Sequence, residues 1–106
     1  MSFHLSAQNI RVDDGHILRA ELQNGDGDWV EAELDLNTVL GNDDGIFSWG
    51  GGDFSISAQG VTFEIEGADG VPVLRAGLTN MNGDVNWHDV NLAERITNND
   101  GQFELQ

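Results

Sequence analysis

The sequence predicts an all-β domain of two tandem repeats, each with a three-stranded meander and a β-hairpin. From His16 to Gln23 apolar and polar residues alternate, and this period of two places Leu18, Ala20 and Leu22 on the buried face of a strand. Several segments also recur at a constant offset, which indicates two copies of one supersecondary unit. Two copies are too few for an open solenoid, so we expect one closed domain over residues 1–106.

The duplication is clearest in the middle and at the end of each copy. Leu18–Ala20 recurs as residues 74–76, and Asn42–Gly45 recurs with one change as residues 98–101, both 56 residues later. Asn42–Gly45 and residues 98–101 both end in Asp-Gly, and each segment lies between short apolar runs. Because Gly accepts a positive φ without a Cβ clash, this dipeptide is a strong hairpin signal.

The starts of the two copies match at a shorter offset. Residues 3–8 resemble residues 54–59, which lie 51 positions later. The second copy therefore carries five extra residues around 64–72. These matches bound the first repeat at 3–51 and the second at 54–106.

The strands and turns follow from this pattern. Each repeat is predicted to begin with a meander, whose strands are Gln8–Val12, His16–Gln23 and Trp29–Leu34 in the first copy and Gly60–Glu66, Val73–Thr79 and Val85–Val90 in the second. Asn82-Gly83 is predicted to form the same kind of turn as Asn24-Gly25.

The segment between the copies contains three consecutive glycines. Residues 50–52 predict a flexible joint after Trp49, because glycine has high conformational entropy. Asp53 is predicted to be the N-cap of a short helical turn over Phe54–Ser57. No segment predicts a long helix.

Composition limits the possible partners. The chain has four Arg, no Lys and 19 acidic residues, for a formal charge of −15. This charge disfavours nucleic acid and anionic membranes and leaves neutral ligands or cations. An equally good interpretation is that the acidity only maintains solubility and protects strand edges. The absence of Cys means that no disulfide supports the fold.

The sequence shows no targeting or membrane segment. No apolar run approaches the roughly 20 residues that span a bilayer, so we expect no membrane insertion. The N-terminus lacks a basic segment followed by an apolar run, so we expect no signal peptide and a cytoplasmic or non-classically secreted protein.

The duplicated phrases resemble the cyanovirin-N homology family of lectins over nearly the whole chain. The specific features are the tandem repeat, Leu36–Val39 followed by Asn42–Gly45 and Trp49, and Val90–Leu92 followed by Asn98–Gly101. The missing cysteines are typical of the fungal branch. The resemblance implies an elongated rod in which strands are exchanged between repeats.

Two structural halves follow from this implied exchange. One half is expected to combine approximately residues 1–39 with 95–106, and the other to contain approximately residues 40–94. Members of the family bind neutral oligomannose, especially α-linked dimannose, or glycoproteins that carry it, at one or both ends of the rod. They need no metal or other cofactor and are not enzymes.

The resemblance also implies sugar-binding positions at each end. At end A, built from the termini, they fall on Ser2, Leu5, Ser6, Gln23, Asn24, Gly25, Asp26, Asn98, Asn99 and Asp100. At end B, in the middle of the chain, they fall on Gly41, Asn42, Asp43, Asp44, Asp53, Ile56, Ser57, Thr79, Asn80, Met81 and Asn82.

Both ends depart from the family pattern, and end B departs further. At end A, Gln23 and Leu5 replace an acidic and a polar residue. At end B, Gly41 and Ile56 each replace an acidic residue, and Met81 replaces an Arg. We therefore expect end A to bind more tightly.

The residues themselves allow both a sugar pocket and plain turn chemistry. Carboxylates accept hydrogen bonds, and Asn and Gln side chains both donate and accept, as vicinal hydroxyls require. Asn98, Asp100 and Gln23 supply that mixture, but an Asn-x-Asp-Gly tip can also cap its own backbone. The two interpretations are compatible, because a capped turn preorganises its outward groups.

Other chemistries have weaker support. Asn24–Asp28 has acidic or amide groups at alternate positions, but Trp29 and Asp35 stand where an EF-hand needs Gly and Glu. The three His residues have no ligand spacing, and no nucleophile motif is present. An acidic calcium-responsive module and an interaction protein with decayed sugar sites remain alternatives.

Two further expectations concern the tryptophans and the assembly. Trp29, Trp49 and Trp87 are expected in the core or at the repeat interface rather than stacked on sugars. Family members with Pro at the joint are biased toward exchange of halves between two chains. Because Gly51 relieves that bias, we expect a monomer, with a domain-swapped dimer as the alternative.

Overall fold

Ten strands make up the fold of this computed structural model, which describes residues 3–68 and 70–106. The strands are β1 (Ala7–Asp13), β2 (Ile17–Gln23), β3 (Trp29–Asp35), β4 (Leu40–Asp43), β5 (Ile46–Trp49), β6 (Ala58–Glu66), β7 (Val71–Thr79), β8 (Val85–Asn91), β9 (Ile96–Asn99) and β10 (Gln102–Leu105). Four short 3₁₀ turns lie at Phe3–Ser6, Leu36–Thr38, Phe54–Ser57 and Leu92–Glu94. The predicted all-β fold class is confirmed.

The strands form two meanders and two hairpins, all antiparallel. The meanders have the orders β1-β2-β3 and β6-β7-β8, and the hairpins are β4-β5 and β9-β10. Strands β6 and β7 have nine residues each, against seven in β1 and β2. Most of the insertion in the second copy therefore extends its first hairpin. In the described part of the chain, no helix has the length and apolarity to cross a membrane.

The core forms on one face of each central strand. Leu18, Ala20 and Leu22 of β2 are buried, as predicted. In β7 Leu74 and Leu78 are fully buried, and Ala76 lies between them in the same alternation. Removing such side chains from water is the main favourable contribution to folding.

Aromatic contacts join each hairpin to the other copy. Phe103 of β10 packs edge-on against Phe3 at the start of the first copy, with 5.3 Å between ring centroids. Phe47 of β5 packs against Phe54 of the second copy at 5.5 Å. Each hairpin therefore completes the core beneath the meander of the other copy, which is the exchange that the resemblance implied. The residue boundaries proposed for the repeats and halves remain predictions.

The chain is elongated, with principal extents of 50 × 26 × 22 Å. Because each hairpin packs on the meander of the other copy, the two hairpin tips lie with the meander loops 24–28 and 80–84. The exchange therefore assembles end A from residues of both copies, and it assembles end B in the same way.

The predicted N-cap at Asp53 is wrong. Asp53 has a left-handed backbone with φ 57°, and its side chain makes no capping hydrogen bond. Two other 3₁₀ turns, at Leu36–Thr38 and Leu92–Glu94, do have side-chain caps. Asp35 accepts from the N–H of Asn37, and Asn91 accepts from the N–H of Ala93, each at 2.9 Å.

The glycine linker is packed rather than loose. Gly50 N–H donates to the carbonyl of Val39 at 2.9 Å, and Asp53 N–H donates to that of Asn37 at 2.8 Å. A Cβ on Gly51 would lie 2.9 Å from the Cα of Gly41. The glycines therefore allow two backbone segments to touch, and the linker is hydrogen-bonded to the turn before β4.

We predict that Asp35→Asn reduces the loss of stability in acid. His16 Nδ1 lies 2.8 Å from Asp35 Oδ1, and this contact, helped by the N–H of Asn37, lowers the pKa of Asp35. A lowered pKa stabilises the fold above the ordinary Asp value, and this contribution is lost as the pH falls through the folded-state pKa. Asn keeps the cap, as Asn91 does in the second copy.

The measurement is the free energy of unfolding by urea between about pH 5 and about pH 2. The variant should show a shallower decline with falling pH than the parent protein. His16→Gln is the matched control, and it should also flatten the decline because His16 is the largest cause of the shift. Parallel curves for parent and Asp35→Asn would contradict the assignment.

Candidate functional site

End A is assembled around the side chain of Asn98. Its Nδ2 donates to Ser6 Oγ at 2.9 Å and to the carbonyl of Gln23 at 2.8 Å. Its Oδ1 accepts the N–H of Gly101 at 2.8 Å. One amide therefore closes its own hairpin and joins it to the first 3₁₀ turn and to the end of β2.

End B repeats this arrangement around Asn42. Its Nδ2 donates to Ser57 Oγ and to the carbonyl of Thr79, both at 2.8 Å. Its Oδ1 accepts the N–H of Gly45 at 2.7 Å. The side chains of Asn98 and Asn42 thus hold the sites in shape, and turn capping is their confirmed local role.

The aspartates of the hairpin tips reach across to the meander loops. Asp100 Oδ1 accepts the N–H of Gly25, and Asp44 Oδ1 accepts the N–H of Met81, each at 2.8 Å. Asp44 and Asp100 both have positive φ, followed by Gly45 and Gly101 at 90°. The left-handed turn aims each carboxylate at the neighbouring loop.

The two meander loops share one hydrogen-bond pattern. Asn24 Oδ1 accepts from the N–H groups of Asp26 and Asp28, each at 3.0 Å. Asn80 Oδ1 accepts at the same distance from residues 82 and 84. Asn80, rather than the predicted Asn82, is therefore the counterpart of Asn24.

These contacts also bear on the calcium alternative at Asn24–Asp28, which the sequence supports only weakly. The Asn24 oxygen that a cation would need is turned toward the loop's own backbone. Across residues 3–68 and 70–106, no group of three or more His, Cys, Asp or Glu side chains has the geometry of a metal site.

The outward surface of end A is mainly polar. Gln23 and Asp26 are exposed beside Gly25, and Gln23 Nε2 donates weakly to the carbonyl of Gly27 at 3.3 Å. Asn99 Nδ2 donates a hydrogen bond to the Glu104 carboxylate at 2.7 Å. Leu5 is exposed to 72%. The predicted position Ser2 lies outside the described residues.

The outward surface of end B is more apolar. Ile56 is 82% exposed and Met81 is 87% exposed, at the positions equivalent to Leu5 and Gly25. Asp43 and Asn82 are exposed nearby. Gly41, in contrast, is buried against the linker and forms a β-bridge with Asp53, so only its backbone shapes the site.

End B includes two residues that the sequence analysis missed. Asn86 Nδ2 donates to the carbonyl of Gly45 at 2.7 Å, and His88 Nδ1 accepts the N–H of Phe47 at 3.2 Å. Their counterparts in the first copy are Val30 and Ala32. The available signal was the difference between the copies: two polar residues in the second copy stand at positions that are apolar in the first.

The prediction for two of the tryptophans is wrong. Trp29 is 44% exposed and Trp87 is 60% exposed. Both lie in third strands, where the local pattern was too weak to assign a face. Trp49 alone packs against the core, partly buried.

The fold and the two ends define a class of protein. They are a rod of two strand-exchanged β repeats and, at each end, a loop cluster that Asn and Asp side chains hold in shape. The CVNH domain family model matches residues 3–104, so the chain belongs to the CVNH family, whose members are carbohydrate-binding lectins.

Similar proteins align with the whole chain or nearly all of it. A cyanovirin-N homolog from Neurospora crassa is 42% identical over 110 aligned residues, covering 100% of this chain and 99% of that protein. The solution structure of the Gibberella zeae CVNH protein has a TM-score of 0.93 and 55% identity, covering 97% of this chain and 95% of that one.

Two similar solved structures contain sugars. A complex of microvirin with mannobiose is 31% identical with a TM-score of 0.88, covering 99% of this chain and 98% of that one. A MoCVNH3 variant in complex with (N-GlcNAc)4 is 27% identical with a TM-score of 0.85, covering 98% and 96% respectively.

We predict that Asn98→Ala and Asn42→Ala each lower the free energy of unfolding by about 1–3 kcal/mol. Each change removes three hydrogen bonds, and two of them join the hairpin to the other copy. Each hydrogen bond contributes about 0.5–1.5 kcal/mol net, and the exposed ones lie at the lower end of that range.

Urea unfolding monitored by tryptophan fluorescence measures this loss. Asn82→Ala is the control, because Asn82 is exposed and contributes its backbone N–H to the loop. If Asn98→Ala were no less stable than Asn82→Ala, the structural role assigned to the Asn98 amide would be wrong.

Proposed function

We propose that this protein binds mannose-terminated, α-linked oligosaccharides at its two ends, without a covalent step. The observation that carries the proposal is the pair of preformed polar clusters, each fixed by an Asn junction and an Asp tip. Microvirin, which has the same fold, was solved with mannobiose. Glycans or glycoproteins that expose such termini are the proposed partners.

Preorganisation is what makes such a site useful. Each sugar hydrogen bond contributes only about 0.5–1.5 kcal/mol net, so several must converge. A loop that is already held by its own hydrogen bonds loses little conformational freedom on binding. Asp100 and Asp44 each use Oδ1 internally, and each has a second carboxylate oxygen that can accept from a hydroxyl.

We propose that end A binds more tightly than end B. At end A, Gly25 leaves its backbone open to a ligand, and Gln23 and Asp26 supply polar groups. At end B, the same positions hold Met81, Thr79 and Asn82, with Ile56 exposed beside them. Because the Met81 side chain stands where Gly25 leaves the backbone open, and Thr79 is shorter than Gln23, we expect weaker recognition of hydroxyls at end B.

A proton–nitrogen NMR titration with α-linked mannobiose tests the function and the ranking. We expect shifts at residues 23–26 and 98–100 at lower sugar concentration than at 42–44 and 79–82. Gly25→Met, which copies the residue of end B, should weaken binding at end A by about tenfold or more. The Met side chain crowds the ligand and the Asp100 carboxylate, which lies 3.3 Å from the Cβ position.

The reciprocal variant Met81→Gly is the matched control and should leave end A unchanged. Earlier shifts at end B would reverse the ranking. Unmoved signals at both ends in about 10 mM sugar would refute the mannose proposal.

We also propose that the protein is a monomer at low concentration. In the packed linker, Gly51 N–H donates to the carbonyl of Ser48 at 3.3 Å, and Gly51 touches Gly41. Exchange of halves between two chains needs this segment to extend. The contacts of the packed linker therefore favour the closed chain.

We predict that Gly51→Ala shifts the protein toward a dimer at high concentration. The added Cβ would lie 2.9 Å from the Cα and 3.0 Å from the N of Gly41, which are backbone atoms that cannot move aside cheaply. Size-exclusion chromatography with light scattering measures the dimer fraction. Gly52→Ala is the control, since its Cβ would meet a single carbonyl at 3.2 Å. A parent protein that is already a stable dimer would contradict the proposal.

A further inference from the structure

The outer face of the second meander carries an indole that lies across the sheet. Leu74, Ala76 and Leu78 of β7 face the core, so Arg75 and Gly77 face outward. Trp87 of β8 is paired with Gly77. Its ring extends over Gly77 to Gly60 in β6, and the side chain is still 60% exposed.

Two glycines make this position of the ring possible. A Cβ on Gly60 would come within 2.7 Å of Trp87 Cη2, and a Cβ on Gly77 would lie 3.2 Å from Cζ2. The outer edge of the six-membered ring therefore lies against Gly60, and Cζ2 lies next to Gly77. Gly77 is buried beside it, although Gly77 belongs to the outer face. With 60% of its side chain exposed, the indole is accessible to solvent on this side of the sheet.

Polar side chains line a cavity beside the indole ring. Arg75, Trp87 and Asp89 line a shallow cavity of about 210 Å³. Arg75 Nη1 donates to Glu66 at 2.8 Å, and Nη2 donates to Asp89 at 3.3 Å. These ion pairs hold the guanidinium in place and offset its charge, so the cavity presents donors and acceptors without a free cation.

The first meander has the same cavity without the indole. Arg19, Glu31 and Glu33 line about 200 Å³ there, at the positions equivalent to Arg75, Trp87 and Asp89. The counterparts of the two glycines are Asn9 and Glu21, whose side chains hydrogen-bond to each other. The duplicated scaffold therefore provides one acidic cavity and one aromatic cavity.

The chemistry of the aromatic cavity selects one kind of sugar. An exposed indole with adjacent carboxylate and guanidinium groups matches a ring that has an apolar C–H face and a polar edge. A β-linked, all-equatorial pyranose has such faces on both sides. An α-linked mannose carries an axial oxygen on each face, O1 on one and O2 on the other. The formal charge of −15 disfavours anionic sugars.

We propose that Trp87, with Arg75 and Asp89, forms a third carbohydrate site that stacks a neutral, β-linked, all-equatorial pyranose of the glucose or N-acetylglucosamine type. This site shares the general ligand class with the proposed function but none of its residues. It lies on the side of the rod and belongs to the second repeat alone.

Indole N–H and backbone signals in an NMR titration test this proposal. The probes are cellotetraose, a tetramer of β-linked N-acetylglucosamine, and α-linked mannobiose. We expect one or both β-linked tetramers to shift the Trp87 indole and the signals of Arg75 and Asp89, with residues 98–100 and 42–44 unmoved. Stronger shifts with one tetramer identify its sugar as the preferred type.

Variants separate stacking from general effects. Trp87→Ala should weaken tetramer binding by about tenfold or more, and Trp87→Phe, which keeps a smaller ring, should fall in between. Trp29→Ala removes the exposed tryptophan of the first copy and should change nothing. Unfolding curves of Trp87→Phe keep the test valid if the Ala variant does not fold.

Each adverse result has a distinct meaning. If mannobiose moves the end loops and no β-linked tetramer moves the Trp87 indole in about 10 mM sugar, the third site is refuted and the proposed function stands. If the tetramers move Trp87 and mannobiose moves nothing, the proposed function is refuted and the third site stands. A Trp87 signal that shifts with protein concentration alone shows that a second copy covers this face, which also refutes the proposal.

Discussion

The asparagine junctions at the two ends are the constraint on which the rest of the structure depends. Asn98 and Asn42 each close a hairpin tip and join it to a 3₁₀ turn and a meander strand of the other copy. With both N–H donors and the oxygen of the amide engaged, each side chain fixes the tip relative to the loop that the Asp carboxylate then contacts. The aromatic pairs behind the hairpins, Phe103 with Phe3 and Phe47 with Phe54, anchor the same arrangement in the core.

Much of this could be predicted because the signals are local or duplicated. The alternation around Leu18 and Ala20 gave the buried face of β2 correctly, and the repeat then gave the same face of β7 around Leu74. The Asp-Gly tips located both hairpins. Strand exchange came from the family resemblance, since no local pattern specifies which copy a hairpin packs against.

What failed depends on contacts distant in sequence. Asp53 follows three glycines and precedes a helical turn, so it satisfies the sequence rule for an N-cap, but its left-handed backbone turns the side chain away. The linker packs closely because Gly41, ten residues earlier, leaves room for Gly51. Trp87 is exposed because Gly60 and Gly77 support its ring. In each case the deciding neighbour lies on another strand or loop, which no local window of sequence contains.

The strand exchange also means that neither copy is self-sufficient. A chain that ended at the linker would keep Asn42 but lose Ser57 and Thr79, and it would keep Phe3 but lose Phe103. Such a lone repeat could complete its polar junctions only by pairing with a second molecule. Tandem duplication therefore converts what would be a dimerisation requirement into an internal one. It also frees the two side faces to diverge, as the acidic cavity at Glu31 and the aromatic cavity at Trp87 have done.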